Sequence, residues 1–281
     1  GWSNNLAVDG SITVVGASYP LKVSTDGGGI GTGSGIYGYN TRVSISATPF
    51  VGFSFLGWIG EGVMDPDSPS TIVEMTRSRT VKALFLRPDR LIAYWKLNET
   101  SGARKAVDSS VHDNDLSVKG AVSGKAGLFG KAFSFAKKGD RLSMELASPY
   151  FHSRFTLSAW AKASSLNLSD GSGIFNNGDS GDLERDFKLT TFDNRYRYSG
   201  DSGVVDLGPV TKQWVHFAVI SGPGKTTLYR NGMIAGEVEG NSNVFQRYEI
   251  GTNPGHNKSF AGLIDDVALF KDDLPPSEIA V

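Results

Sequence analysis

The sequence predicts an all-β protein, and three observations carry that expectation. Glycine is abundant, 35 of 281 residues, and most glycines flank short β-branched or aromatic runs such as SITVVG, TRVSISATP, FTLSAWAKA, WVHFAVIS and TTLYRNG. Such runs fit a pleated, half-buried surface, and the glycines that bound them supply turns. No amphipathic helical period is sustained over about a dozen residues. Only the terminal DLPPSEIAV is expected to start a short helix, with Pro275 or Pro276 in its first turn.

Composition removes several classes of function. Lys plus Arg number 28 against 29 Asp plus Glu, a net charge of -1, so no long-range basic field draws in nucleic acid or anionic lipid. The absence of cysteine excludes disulfides, Cys-zinc sites and thiol nucleophiles. No apolar run approaches the roughly 20 residues of a membrane helix. A chain that begins at Gly1 without an initiator Met or signal peptide reads as a fragment of something longer.

The expected boundary lies at Arg87-Pro88-Asp89-Arg90, where prolines and charges separate the run RTVKALF from LIAYWKLNE. This gives domains 1–88 and 89–281. In the first, a glycine-rich turn leads to a strand ending in ATP, an aromatic turn GFSFLGW, a loop DPDSPS and the strands TIVEM and TVKALF. The segment GSGIYG, Gly33 to Gly38, fits G-x-G-x-x-G, but a phosphate-binding loop must open a helix and here another strand follows, so a hairpin turn is expected. The order of elements over about residues 12 to 86, with G-F-x-F-x-G-W and T-V-K-A-x-F, resembles the bacterial repeat domain related to Listeria-Bacteroides repeats. That resemblance implies a small extracellular β spacer.

From Leu91 onward, short alternating runs separated by polar turns predict a two-sheet sandwich. WVHFAVIS puts Trp214, His216, Ala218 and Ile220 on one face and Val215, Phe217 and Val219 on the other, the signature of a central strand. Asn231-Gly232 predicts a type I′ hairpin turn. His216 is expected to be a core histidine. The element order, with A-x-W-x-x-x-E-x-S-G from Ala93 and G-x-I-D-x-V from Gly262, resembles the bacterial branch of laminin-G-like jelly rolls in the concanavalin A-like superfamily.

That fold includes glycosidases as well as binding domains, so the carboxylates decide the expectation. No Glu stands in the E-x-D-x-E or E-x-D-x-x-E spacing that places two carboxyls on one strand face. Asp265 and Asp266 of GLIDDVALF are adjacent, so regular alternation sends them to opposite faces, a poor acid and base pair. There is no G-x-S-x-G elbow and no H-E-x-x-H spacing either. The chain is therefore expected not to be an enzyme. The resemblance implies a structural calcium ion at the sandwich rim, with Asp108, Asp140, Asp265 and Asp266 as candidate ligands. The competing reading has Asp265 or Asp266 accepting hydrogen bonds from backbone or from Arg141.

A sugar site needs aromatic faces and planar polar groups. Candidates are Tyr150 and His152 in SPYFHSR, Glu184 and Arg185 in DLERD, Arg195, Arg197 and Tyr198 in NRYRYSGD, and His256 and Lys258 in GHNKS. Arginine forks suit carboxylate or sulfate, pointing to an acidic glycan, unless the arginines only pair with Asp182, Glu184 or Asp186. The expectation is a monomeric, extracellular, non-catalytic carbohydrate-binding module that contacts polysaccharide and sits beside a catalytic domain in the same longer chain. An adhesion module recognising protein and a plain structural spacer are the alternatives.

Overall fold

The computed structural model describes all residues except 1, 6–10, 15, 152–153, 179–186, 201–202, 241–243, 254–257, 276–277 and 279–281; for 2–5, 11–14, 148–151 and 244 it describes the backbone. The expected C-terminal helix falls largely outside the described residues. The chain separates into two compact units, Gly1–Pro88 and Asp89–Val281. No helix among the described residues is long and apolar enough to cross a membrane.

In the first unit a four-stranded sheet runs in the order Gly35–Gly38, Ser18–Thr25, Arg79–Leu86, Ser54–Ile59, and a three-stranded sheet in the order Gly29–Thr32, Thr41–Pro49, Ser70–Met75. Their alternating apolar positions, including Leu21, Val43, Ile45, Val73, Val81 and Ala83, close on Trp58. The Trp58 indole N–H donates to the Ser68 carbonyl at 3.1 Å, which satisfies the polar edge of a buried ring. GSGIYG ends in the Gly35–Gly38 strand, paired antiparallel to Ser18–Thr25, with no helix for a phosphate to cap.

The second unit is a sandwich of an eight-stranded and a ten-stranded sheet, all-β as expected. Val215–Gly222 is central in the eight-stranded sheet, between Phe155–Ala163 and Lys225–Arg230. Val215, Phe217 and Val219 enter the core shared by both sheets, where Phe217 meets Tyr196 of the opposite sheet at 4.8 Å between ring centroids. His216 lies on the other face, its Nε2 2.8 Å from the Ser158 hydroxyl and its ring against Trp160. Burial lowers its pKa to about 4, so it is neutral at physiological pH and has a structural setting.

The last long strand, Gly262–Phe270, departs from regular alternation. Ile264, Val267 and Leu269 all enter the core, so two residues rather than one separate the first two. Pairing with the Phe155–Ala163 strand jumps there, from Trp160 opposite Asp265 to Ser158 opposite Ala268. Asp266 absorbs the extra residue in the left-handed region, at φ 44°. This bulge leaves both aspartates off the core face, which corrects the expectation that they point to opposite sides.

Candidate functional site

Three of the four candidate metal ligands, Asp108, Asp140 and Asp265, accept hydrogen bonds from backbone N–H groups, and Asp266 accepts one from a tyrosine hydroxyl. Asp108 accepts from the N–H groups of Tyr94 and Ser110 through Oδ1, and from the Ser110 hydroxyl and the Asn114 N–H through Oδ2. Oδ2 of Asp140 takes the N–H groups of Ala136 and Lys137. Asp265, fully buried, accepts from Leu128 and Phe129 through Oδ2 and from Asp266 N–H through Oδ1, which pins the turn between two strands over it. Asp266 accepts the Tyr94 hydroxyl and so ties Gly262–Phe270 to Leu91–Trp95. Among the described residues no group of three or more His, Asp or Glu could hold a metal ion. Asp108 and Asp265 have both oxygens taken up by N–H and O–H donors, and a calcium cage needs six to eight oxygen ligands, more than these separate carboxylates bring together among the described residues.

The arginine stripe has a different setting. Lys188–Phe192 and Arg195–Gly200 form a hairpin whose turn residues, Asp193 and Asn194, both have positive φ, 50° and 56°. Asp and Asn are the side chains that best tolerate that region, so the local sequence dictates the tight turn. Alternation then sends Tyr196 and Tyr198 into the core and Arg195 and Arg197 outward. Tyr198 is 1% exposed, so its ring packs the sandwich and is closed to a sugar; its expected binding role is corrected.

Outside, Arg195 Nε donates to Asp206 Oδ2 at 2.6 Å, from the neighbouring strand Gly203–Pro209. Partial burial pushes the Asp206 carboxyl up, but hydrogen bonds from Arg195 and Gly208 N–H, with the charges of Arg195 and Arg197, hold it below its usual value. Arg197 lies over the ring of Phe192, 4.1 Å from its centroid, and that ring is 44% exposed. Among the described residues Arg197 has no carboxylate partner in salt-bridge range. Lys258 donates to the Asp170 carbonyl at 2.7 Å, and the Asp170 carboxylate accepts the N–H of Asp193 in the hairpin turn. His152, Glu184, Arg185 and His256 lie outside the described residues, as does the side chain of Tyr150.

Beside Arg195 opens a cleft of about 370 Å³ lined by Asp206, Arg230, Met233 and Ile234 among others. One wall is the Arg195-Asp206 pair. The other is the start of the Met233–Glu239 strand, carried by the Asn231-Gly232 turn, whose φ values of 49° and 75° give the predicted I′ geometry. Arg230 forms the floor, donating to the carbonyls of Leu207 at 2.7 Å and Pro209 at 2.9 Å. It passes beneath Gly208, where an added Cβ would lie 2.2 Å from Nη1. Met233 and Ile234 are left 72% and 62% exposed. Sequence reasoning missed Phe192, Asp206, Arg230, Met233 and Ile234, because their convergence depends on strand register and on the meeting of two sheet edges.

On neighbouring strands of the same sheet lie Glu145, Arg247 and the buried Glu249. Arg247 stands between the carboxylates, 3.3 Å from Glu145 and 3.7 Å from Glu249.

A family model described as the concanavalin A-like lectin/glucanases superfamily, of laminin G type, matches residues 138–280, and one described as a divergent InlB B-repeat domain matches residues 19–88. The chain belongs to the concanavalin A-like lectin/glucanase superfamily. Its fold is similar to that of domain 4 of AbnA, a GH43 extracellular arabinanase from Geobacillus stearothermophilus, solved in complex with arabinotriose. The TM-score is 0.51 at 20% identity, covering 68% of this chain and 97% of that one. The receptor binding domain of botulinum neurotoxin D is similar at TM-score 0.56 and 15% identity, covering 69% and 52%. A mutant Trypanosoma rangeli sialidase displaying trans-sialidase activity is similar at 0.54 and 16%, covering 69% and 32%. At these identities the likeness is one of fold, and the chain spans only about half of the toxin domain and a third of the sialidase. No curated protein sequence matches the chain.

Proposed function

We propose that residues 89–281 are a non-catalytic carbohydrate-binding module of a secreted bacterial polysaccharide-degrading protein, with residues 1–88 as its spacer. The observation that carries this reading is the outward pair of Phe192 and Arg197, on the same hairpin as Arg195, whose ion pair with Asp206 walls a cleft. An exposed ring offers a face to sugar C–H groups, and a guanidinium stacked on it presents donors in a fixed fork. Without a carboxylate partner among the described residues, Arg197 favours an acidic saccharide, whose carboxylate or sulfate would accept both prongs. The similar arabinanase domain, solved with arabinotriose, is a precedent for a saccharide on this fold.

The non-catalytic part rests on the setting of the carboxylates. Glycoside hydrolysis requires one carboxyl held protonated near a second that is ionised. Glu145 and Glu249 both stand against the same cation, Arg247, at 3.3 Å and 3.7 Å. Asp265, whose carboxyl is pushed upward by burial, is sealed beneath the turn at Leu128 and Phe129. Binding without cleavage would serve by tethering, raising the concentration of polymer around a catalytic domain in the same longer chain.

Affinity electrophoresis through gels holding acidic and neutral polysaccharides tests the proposal. Retardation by an acidic polymer, weakened about tenfold by Arg197→Gln or Phe192→Ala, is the expected result. Absence of retardation in every gel, with capture of a host protein instead, would replace it by the adhesion reading.

A further inference from the structure

The cleft and the arginine stripe adjoin, yet their chemistries differ. Arg195 is committed to Asp206, and Arg230 to two carbonyl oxygens, so the cleft's cations are already matched by acceptors. Asp206 contributes an ionised carboxylate at the cleft wall, and an acidic sugar entering there would meet like charge. The opposite wall is apolar: Met233 and Ile234 are large, solvent-exposed side chains on a hairpin end, where water is the alternative contact. An ion pair facing an apolar wall suits a neutral ring. Hydroxyls donate to Asp206 and accept from Arg195, while C–H groups or an N-acetyl methyl cover Met233 and Ile234.

Arg197 stands two residues along the same strand face, about 6.6 Å away by strand rise, the scale of one sugar ring. It has no ion-pair partner among the described residues and is steadied by Phe192. We propose that the cleft is a neutral-sugar subsite next to an acid-reading Arg197, so that the ligand is a heteropolysaccharide in which a uronate neighbours a neutral or N-acetylated sugar. This inference rests on the carbohydrate-binding reading above and narrows it.

Isothermal titration of the full 281-residue chain with three probes tests it: hyaluronan oligosaccharides, which alternate uronate and N-acetylhexosamine; polygalacturonate, which is all acid; and linear arabinan, which is neutral. The expected order puts the alternating probe about tenfold or more ahead of either homopolymer. Met233→Ser with Ile234→Ser should weaken the alternating and neutral probes about tenfold and leave polygalacturonate unchanged, while Arg197→Gln should weaken only the two acidic probes. Both changed positions are exposed, and an unaltered Tm shows that the fold is kept. Polygalacturonate bound more tightly than the alternating probe, or a Met233/Ile234 variant indistinguishable from the parent on all three, overturns the two-subsite proposal while leaving carbohydrate binding standing. A parent chain that binds none of the three and no other polysaccharide overturns both.

Discussion

At Asp265, burial first and the neighbouring Asp266 charge second push the carboxyl up to about 8, against the N–H groups of Phe129, Leu128 and Asp266. In an unfolded chain the same group titrates at about 3.9. The folded state therefore binds the extra proton between those values, and the stability it contributes is full below about pH 4 and lost as pH rises through about 8. His216 acts in the opposite sense: its folded pKa, lowered to about 4, makes stability rise with pH, but only up to its unfolded value of about 6.5. The window from about pH 7 to 8.5 thus isolates Asp265. Thermal melting should show Tm falling across that window in the parent chain and staying level in Asp265→Asn, and a parent Tm that rises there contradicts the assignment. Asp108 gives a second residue-scale prediction. Asp108→Ala strands donors from Tyr94, Ser110 and Asn114, at a cost of about 2–4 kcal/mol by urea unfolding. Chelator should leave Tm unchanged, and a fall in Tm on adding it would restore a metal to these carboxylates.

Among the elements, those whose patterns follow simple periods were legible beforehand. The alternation of Val215–Gly222 and the Asn231-Gly232 turn both follow from side-chain direction and from the φ that glycine and asparagine accept. The bulge at Asp266 was not legible, because an aspartate can take the left-handed conformation without a glycine to announce it. That single insertion placed both aspartates on one side, against the alternation rule. The partner of Arg195 was missed for a related reason. Asp182, Glu184 and Asp186 were expected from nearness in sequence, whereas Asp206 is supplied by the next strand through cross-strand register. Asn231 joins turn and site: its Oδ1 accepts the His216 N–H at 2.9 Å while its backbone holds positive φ. Asn231→Ala should cost about 1–3 kcal/mol and loosen the Met233 wall, whereas Asn231→Gly should recover the part due to φ. Equal losses in the two variants would place the whole effect in the side-chain hydrogen bond.

For the whole molecule, the two units each have a separate hydrophobic core, one closed around Trp58 and the other between the two large sheets. The fold class and the pair of families were readable because order and spacing of many short runs constrain them jointly, while the cleft arises where two sheet edges meet and no run of sequence encodes it. With the proposed site wholly inside residues 89–281, a chain shortened to that unit should keep its affinity for polysaccharide within about twofold. A shortened chain that folds by its melting curve yet binds no polysaccharide would give the first unit a share in recognition.

The central claim is binding without cleavage at the Arg197 surface. The most direct measurement incubates the full chain with a uronate-containing polysaccharide, separates bound from free polymer, and sizes the bound fraction after prolonged contact. The account predicts retention that Arg197→Gln weakens about tenfold, with polymer recovered at its starting length. Shortened polymer that disappears with Glu145→Gln or Glu249→Gln, or retention indifferent to Arg197, would contradict it.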